Sequence, residues 1–325
     1  MGPTASGKTR LAMELASRGA CQLVSVDSAM IYRGMDIGTA KPSIEERARI
    51  PHRLIDLRDP AEPYSAAEFR ADALAAGAEI LALGQVPIFV GGTMLYYRVL
   101  RDGIAEMPSR NDELRAQLAR EAESVGWRAL HARLSEIDPA AAQRIHPNDP
   151  QRLQRALEVA LISGKPLSQW WLEGTGGGIE SVLGCRLIQL VIAPESRSDL
   201  HSRIERRLNR MLDEGFLEEV RALRQRGDLD ASLPSMKAVG YRQLWRHLDG
   251  AIDFDTMREQ ALAATRRLAK RQLTWLRSWP GVHRLDSDDP KLLTHAIHRV
   301  EATLKNRGAV AIVAEQPPTH SDPFA

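Results

Sequence analysis

Over the first hundred residues, short apolar runs alternate with amphipathic ones. Residues 9–18 have helical spacing, with Leu11 and Leu15 four apart on one face. Cys21–Val26 (CQLVSV) is an apolar run of strand length, and 66–83 is Ala-rich and helical. Residues 86–90 (VPIFV) form a second strand-like run, stopped by Gly91-Gly92. Strands alternating with helices predict an α/β core with a parallel sheet covered on both faces. From about 105 to 181 the strand signal vanishes. Helical spacing covers 111–125, 127–137 and 150–163, and Pro108, Pro139, Pro147, Pro150 and Pro166 punctuate it. Residues 174–178 are glycine-rich and read as a loop, and 186–193 (RLIQLVIA) is again strand-like. The pattern predicts a core over 1–105 and 182–307, interrupted by a helical insertion over 106–181. Residues 308–325 have the composition of a frayed tail. There is no internal repeat.

Composition narrows the class. The 325 residues are 43% hydrophobic and 26% charged, which excludes a disordered chain and a small disulfide-stapled scaffold. No run approaches the ~18 apolar residues of a membrane span, and no signal peptide opens the sequence. Cys21 and Cys185 lie in apolar runs and read as buried thiols of a reducing cytosol. A cytoplasmic, monomeric protein is the expectation.

Net charge is +2, but the basic residues are 37 Arg and only 7 Lys. Arg suits bidentate phosphate recognition and stacking. Residues 1–196 carry −2, 197–277 carry +5 and 278–325 carry −1. Within the middle segment, 258–277 alone supplies +5: Arg258, Arg266, Arg267, Lys270, Arg271 and Arg277 against Glu259. Trp275 and Trp279 lie with them. Basic side chains among aromatics suit a nucleic-acid strand, and equally a helix whose Trp residues are core and whose cations face water.

The most specific motif is Gly2-Pro3-Thr4-Ala5-Ser6-Gly7-Lys8-Thr9, which fits the phosphate loop G-x-x-x-x-G-K-[ST] in full. Backbone N–H groups cradle an anion, the following helix points its positive end there, and Lys8 adds a charge. The Thr9 hydroxyl can hold Mg²⁺. Such a loop follows a buried strand, whereas only Met1 precedes this one. A start upstream of Met1 and a poorly anchored loop are the expectations. Asp27 ends the Cys21–Val26 strand, at the sheet edge where ligands bind in doubly wound folds. Three roles stay open for it: Mg²⁺ ligand, general base or helix cap. Gly91, Gly92 and Thr93 end the next strand, where an ATPase would carry an acidic residue. Arg203, Arg207 and Arg210 lie opposite an apolar stripe of Leu200, Ile204, Leu208 and Met211. The histidines form no metal-ligand set, and His295 and His298 read as a surface helix.

Together these residues resemble the tRNA dimethylallyltransferase (tRNA isopentenyltransferase, IPP transferase) family over about 1–285. The likeness rests on GPTASGKT at 2–9, VDSAMIYRGMDIGTAKP at 26–42, PHRLIDLRDP at 51–60, VGGTMLYY at 90–97, HPNDPQRLQRALEV at 146–159, KAVGYRQLW at 237–245 and TRRLAKRQLTWLR at 265–277. The resemblance implies a P-loop-type, doubly wound parallel sheet with a helical insertion, meeting around a channel. It implies transfer of a dimethylallyl group from dimethylallyl diphosphate to N6 of the adenosine 3′-adjacent to the tRNA anticodon (position 37). By this likeness Asp27 is the general base. Gly2, Pro3, Thr4, Ala5, Ser6, Gly7, Lys8, Thr9 and Arg207 hold the diphosphate, with Mg²⁺ at Thr9. The tRNA-contacting positions are Asp27, Ser28, Ala29, Met30, Thr93 and Arg115. A second group is Gln151, Arg152, Leu153, Gln154 and Arg155, and a third is Lys237, Ala238, Val239, Gly240, Tyr241 and Arg242. The last is Lys270, Arg271, Gln272, Leu273, Thr274, Trp275, Leu276 and Arg277. Rival readings are an adenylate (AMP or ADP) isopentenyltransferase with the same donor, a P-loop small-molecule kinase, and a non-catalytic RNA-binding protein.

Overall fold

The computed structural model describes residues 1–173 and 176–305. The tail expected over 308–325 lies outside them, as does part of the 174–178 loop. The chain divides into two compact units, one of Met1–Leu100 and the chain from Leu183 onward, the other of Arg101–Val182. The expected divisions were 105/106 and 181/182.

The first unit opens with α1 (Lys8–Ala16), β1 (Cys21–Val26), α2 (Ile44–Arg49), β2 (His52–Arg53), α3 (Ala66–Ala82) and β3 (Val86–Gly91), and α4 (Met94–Asp102) leads out of it. β1 is the middle of a parallel sheet ordered β2-β1-β3. It is a near-continuous apolar run because both its faces are covered, and Leu23, Val24 and Val26 are fully buried. Ala12 and Ala16 of α1 pack on Leu23 with Ile88 and Val90 of β3. The entry to α3 is set by a capping box, with Ser65 Oγ accepting from the Glu68 N–H and Glu68 reaching back to the Ser65 N–H.

The second unit contains α5 (Asp112–Val125), α6 (Trp127–Ile137), α7 (Pro139–Arg144), α8 (Pro150–Ser163) and α9 (Leu167–Leu172), and α10 (Ile179–Leu183) leads out of it. Its core is Leu118, Leu130, Leu134, Leu153 and Leu157. Pro139 and Pro150 start helices rather than break them. Each occupies the first helical position, where no N–H partner is needed, behind a capping Asp138 or Asp149.

The first unit resumes with β4 (Gln189–Ala193), α11 (Arg197–Asp213), α12 (Phe216–Gln225), α13 (Tyr241–Leu248), α14 (Phe254–Arg277), β5 (Val282–Asp286) and α15 (Leu292–Lys305). β4 and β5 form a second parallel sheet. Leu11 and Leu15 of α1 pack with Ile192 and Leu190 of β4 and with α15. α1 therefore rests on both sheets, and its N-terminal end is fixed relative to both.

The phosphate loop is better anchored than expected. Met1 pairs with β4, its N–H donating to the Leu190 carbonyl (2.8 Å) and its carbonyl accepting from the Ile192 N–H (2.9 Å). A Cβ on Gly2 would lie 2.4 Å from the Ile192 carbonyl oxygen, so the chain passes against β4 where only glycine fits. The cysteines depart from expectation too: both are half-buried.

Candidate active site

Residues 2–7 turn tightly into α1. The Ser6 N–H donates to the Pro3 carbonyl (3.3 Å), and the Leu11 N–H to the Gly7 carbonyl (3.2 Å). Gly7 and Ala5 both have left-handed backbone, with φ of 79° and 62°. For Ala5 that costs roughly 1–2 kcal/mol, a strain of the kind that gathers at ligand-binding turns. Ser6 is buried and its hydroxyl has no hydrogen-bond partner among the described residues. Among the described residues, Lys8 Nζ reaches only the Pro3 carbonyl, at 3.4 Å. Arg207 comes from α11, with its apolar neighbours Ile204, Leu208 and Met211 buried behind it. Its Nη2 donates to the Thr39 carbonyl (3.2 Å).

Both cations are half-buried. Burial, and next the charge of Arg207, pushes the Lys8 ammonium down to about 8, while Asp27 pulls the other way. Burial also lowers Arg207 from its ordinary value, opposed by Asp27 and reinforced by Arg210. Two half-buried cations thus lie in the field of one carboxylate, which leaves net positive charge for an anion. A cleft of about 1160 Å³ reaches Arg207, lined also by Thr9, Asp36, Lys41, Glu46 and Arg210, while Lys8 and Asp27 lie outside its lining.

Asp27 stands at the carboxyl end of β1. Its Oδ1 accepts from the N–H groups of Ala29 (2.9 Å) and Met30 (3.4 Å). Its Oδ2 has no hydrogen-bond partner among the described residues. One oxygen therefore shapes the turn and the other is available for chemistry. Thr93 is joined to this turn, with its Oγ1 accepting from the Ser28 N–H (3.1 Å) and its N–H donating to the Val26 carbonyl (3.2 Å). Ser28 is exposed, and Ala29 and Met30 are half-buried. Gly91 is required by packing, since a Cβ there would lie 2.0 Å from the Val26 carbonyl oxygen.

The structure sorts the remaining expected residues. On α14, Lys270, Arg271, Thr274, Trp275 and Arg277 are exposed, Leu273 is half-buried, and Gln272 and Leu276 are buried. Arg98 lies over the Trp275 ring, 5.9 Å from its centroid. Trp279 is core, its Nε1 donating to Gln189. Arg258 and Arg266 are engaged with Glu205 of α11. Arg203 is likewise engaged, with Ser287 and Asp288. Lys237 and Arg242 are exposed, Ala238 and Val239 half-buried, and Gly240 and Tyr241 buried. The Tyr241 hydroxyl donates to Glu219 Oε1 (2.5 Å).

In the helical unit, Leu153 is fully buried core, while Gln151 and Arg152 are exposed. Arg115 makes a bidentate pair with Glu158 at 2.8 and 2.9 Å. Arg155 donates to Glu158 Oε2 and to the Pro108 carbonyl, and Gln154 donates to the Arg115 carbonyl. Burial alone would raise the Glu158 carboxyl. Hydrogen bonds from Arg115, the Asn111 N–H and Arg155 more than offset this and bring it down to about 2.

Three supporting residues escaped the sequence reading. Glu219 accepts from the N–H groups of Asp36, Ile37 and Gly38, which fixes the loop whose Thr39 carbonyl holds Arg207. Lys41, almost wholly buried, bridges the Tyr32 carbonyl, Asp36 and Asp56. Glu158 carried a usable signal, because a lone acid inside the apolar run ALEVAL marks a paired buried charge. No group of three metal-ligating acids, His or Cys occurs among the described residues. His295 is on a helix and pairs with Asp289. No helix among the described residues is long and apolar enough to cross a membrane.

Comparison with known proteins gives a consistent picture. The family model for IPP transferase matches residues 30–279. The tRNA dimethylallyltransferase of Thioalkalivibrio sulfidiphilus is 56% identical over 307 residues, which is 94% of either chain. A solved tRNA isopentenylpyrophosphate transferase from Bacillus halodurans is 35% identical with a TM-score of 0.68, covering 94% of this chain and 96% of its own. A eukaryotic dimethylallyltransferase solved acting on tRNA superposes with a TM-score of 0.79, over 97% of this chain and 80% of its own. At 24% identity, that last likeness is one of fold.

Proposed function

The chain belongs to the IPP transferase family, and on that premise we propose that it moves the dimethylallyl group of dimethylallyl diphosphate to N6 of the adenosine 3′-adjacent to a tRNA anticodon. It is a transferase acting on tRNA. The donor, the position modified and the residue roles are our reading. One observation carries it: the phosphate loop and the half-engaged carboxylate of Asp27 are held in one site, through Thr4 and Gly92 on a single buried side chain and Thr93 on the Asp27 turn.

The donor's diphosphate binds the loop of Gly2–Thr9, with Lys8 and Arg207 against its oxygens. As the allylic C–O bond breaks, its electron pair goes to the diphosphate, and these preorganised cations stabilise the growing negative charge. The adenine amine is too weak an acid for a carboxylate to ionise in advance. Asp27 therefore accepts a hydrogen bond from N6–H through Oδ2 and takes the proton as the N–C bond forms. The donor set fits Mg²⁺: a single hydroxyl, Thr9, opens α1, and Mg²⁺ at phosphate sites takes one or two protein oxygens and fills the rest with phosphate and water. Thr9 would hold Mg²⁺ there, and the ion would supply neutralisation of charge on the leaving diphosphate. Turning the adenine out of the loop costs a few kcal/mol, and the exposed Arg271 and Trp275 of α14 offer backbone contact and stacking to offset it.

Labelled dimethylallyl diphosphate supplied with either tRNA or AMP tests the reading. Label in tRNA is expected. Label in AMP alone supports the adenylate-transferase reading and overturns ours.

A further inference from the structure

We infer that Gln272 is the positioning residue that ties the RNA-facing helix to both halves of the active site. The inference rests on the function proposed above. Gln272 lies on α14 with its side chain turned inward at 7% exposure, while Lys270, Arg271, Thr274 and Trp275 around it are exposed. A buried amide is costly unless its donors and acceptor are satisfied. Here Oε1 accepts from the Thr4 N–H at 2.9 Å and Nε2 donates to the Gly92 carbonyl at 2.8 Å. These partners are 268 and 180 residues away in sequence.

Each partner belongs to a different half of the site. Thr4 is in the phosphate loop. Gly92 leads into Thr93, whose Oγ1 holds the Ser28 N–H next to Asp27. One side chain thus sets the spacing between the loop that grips the diphosphate and the turn that carries the base. Gly92 is shaped for this contact: a Cβ there would lie 2.5 Å from Gln272 Nε2. Because Gln272 shares a helical turn with Arg271 and Trp275, any movement of α14 as RNA docks acts directly on both loops. Donor grip and RNA docking are therefore coupled, and the coupling is reciprocal.

The test uses the full chain with two variants. Gln272→Met keeps volume and removes both hydrogen bonds. Gly92→Ala displaces the amide while leaving residue 272 intact, and serves if the first variant folds poorly. Thermal unfolding establishes that each is folded. Pyrophosphate affinity is then measured with and without an anticodon stem-loop, beside kcat and KM for tRNA and donor. Wild type is expected to bind pyrophosphate more tightly with the stem-loop present. In the folded variants that gain disappears, and kcat falls about tenfold or more through misplaced reacting groups. Stem-loop affinity on its own stays within about twofold, because the exposed face of α14 is unchanged. A folded variant that keeps the wild-type gain and kcat overturns the inference, as does a wild type with no gain. A wild type that makes no product from tRNA and donor defeats the functional reading, while the binding comparison still judges Gln272.

Discussion

Asp27 divides its work between two oxygens. Oδ1 holds the turn through Ala29 and Met30, and Oδ2 is left for the substrate. Asp27→Asn separates the two tasks, because the amide oxygen can still accept from the turn but the group cannot take a proton. It should lower kcat on the order of 10²–10⁴-fold while thermal stability and tRNA affinity stay near wild type. Normal turnover in that variant contradicts the general-base role. The phosphate loop and Asp27 were legible in the sequence because each is a local pattern, a spacing of glycines and a carboxylate at a strand end. Gln272 and Glu219 were not. Their meaning lies in partners 268 and about 180 residues away, and no local spacing encodes that distance. Gln272 and Leu276 fall in the stretch expected to meet tRNA, yet a helix turns only one face outward and these two lie on the other.

Among the elements, long helices with a clear stripe were legible, and so were the buried strands. β5 was not, since VHRLD has few apolar positions and, among the described residues, pairs on one side only, with β4. β2 is two residues long and gave no pattern. The helical unit has its own buried charge. Glu158 has no exposed side-chain surface and is held by Arg115 and Arg155. Glu158→Ala leaves both guanidiniums without their carboxylate and should cost about 3 kcal/mol, the lower end for breaking a buried pair because both arginines keep some water. Chemical denaturation measures it. The pH dependence follows from the carboxyl's fall from 4.5 to about 2 on folding. Between those values the unfolded chain binds more protons, so stability rises with pH there. The contribution is complete above about 4.5 and is lost as pH falls through about 2. In Glu158→Ala this part of the acid-unfolding profile should be absent. An unchanged profile contradicts the assignment.

For the whole molecule, a net charge of +2 conceals the basic segment, and the fold divides that segment again. Arg258 and Arg266 are engaged with Glu205, whereas Lys270, Arg271 and Arg277 face solvent. Arg271→Ala should weaken tRNA binding and reduce the slope of log K against log salt by about one. Arg258→Ala should leave that slope unchanged. Equal slopes for the two variants would show that α14 does not lie along the RNA backbone. Charge counting found the segment, but only packing told its outward cations from its inward ones.

The proposed reaction is transfer to one adenine amine from an allylic diphosphate. Nucleoside analysis of tRNA after incubation with dimethylallyl diphosphate tests it most directly, beside a tRNA in which the adenosine 3′ of the anticodon is replaced by guanosine. N6-dimethylallyladenosine is expected in the first tRNA and none in the second. Product in both, or in neither, contradicts it.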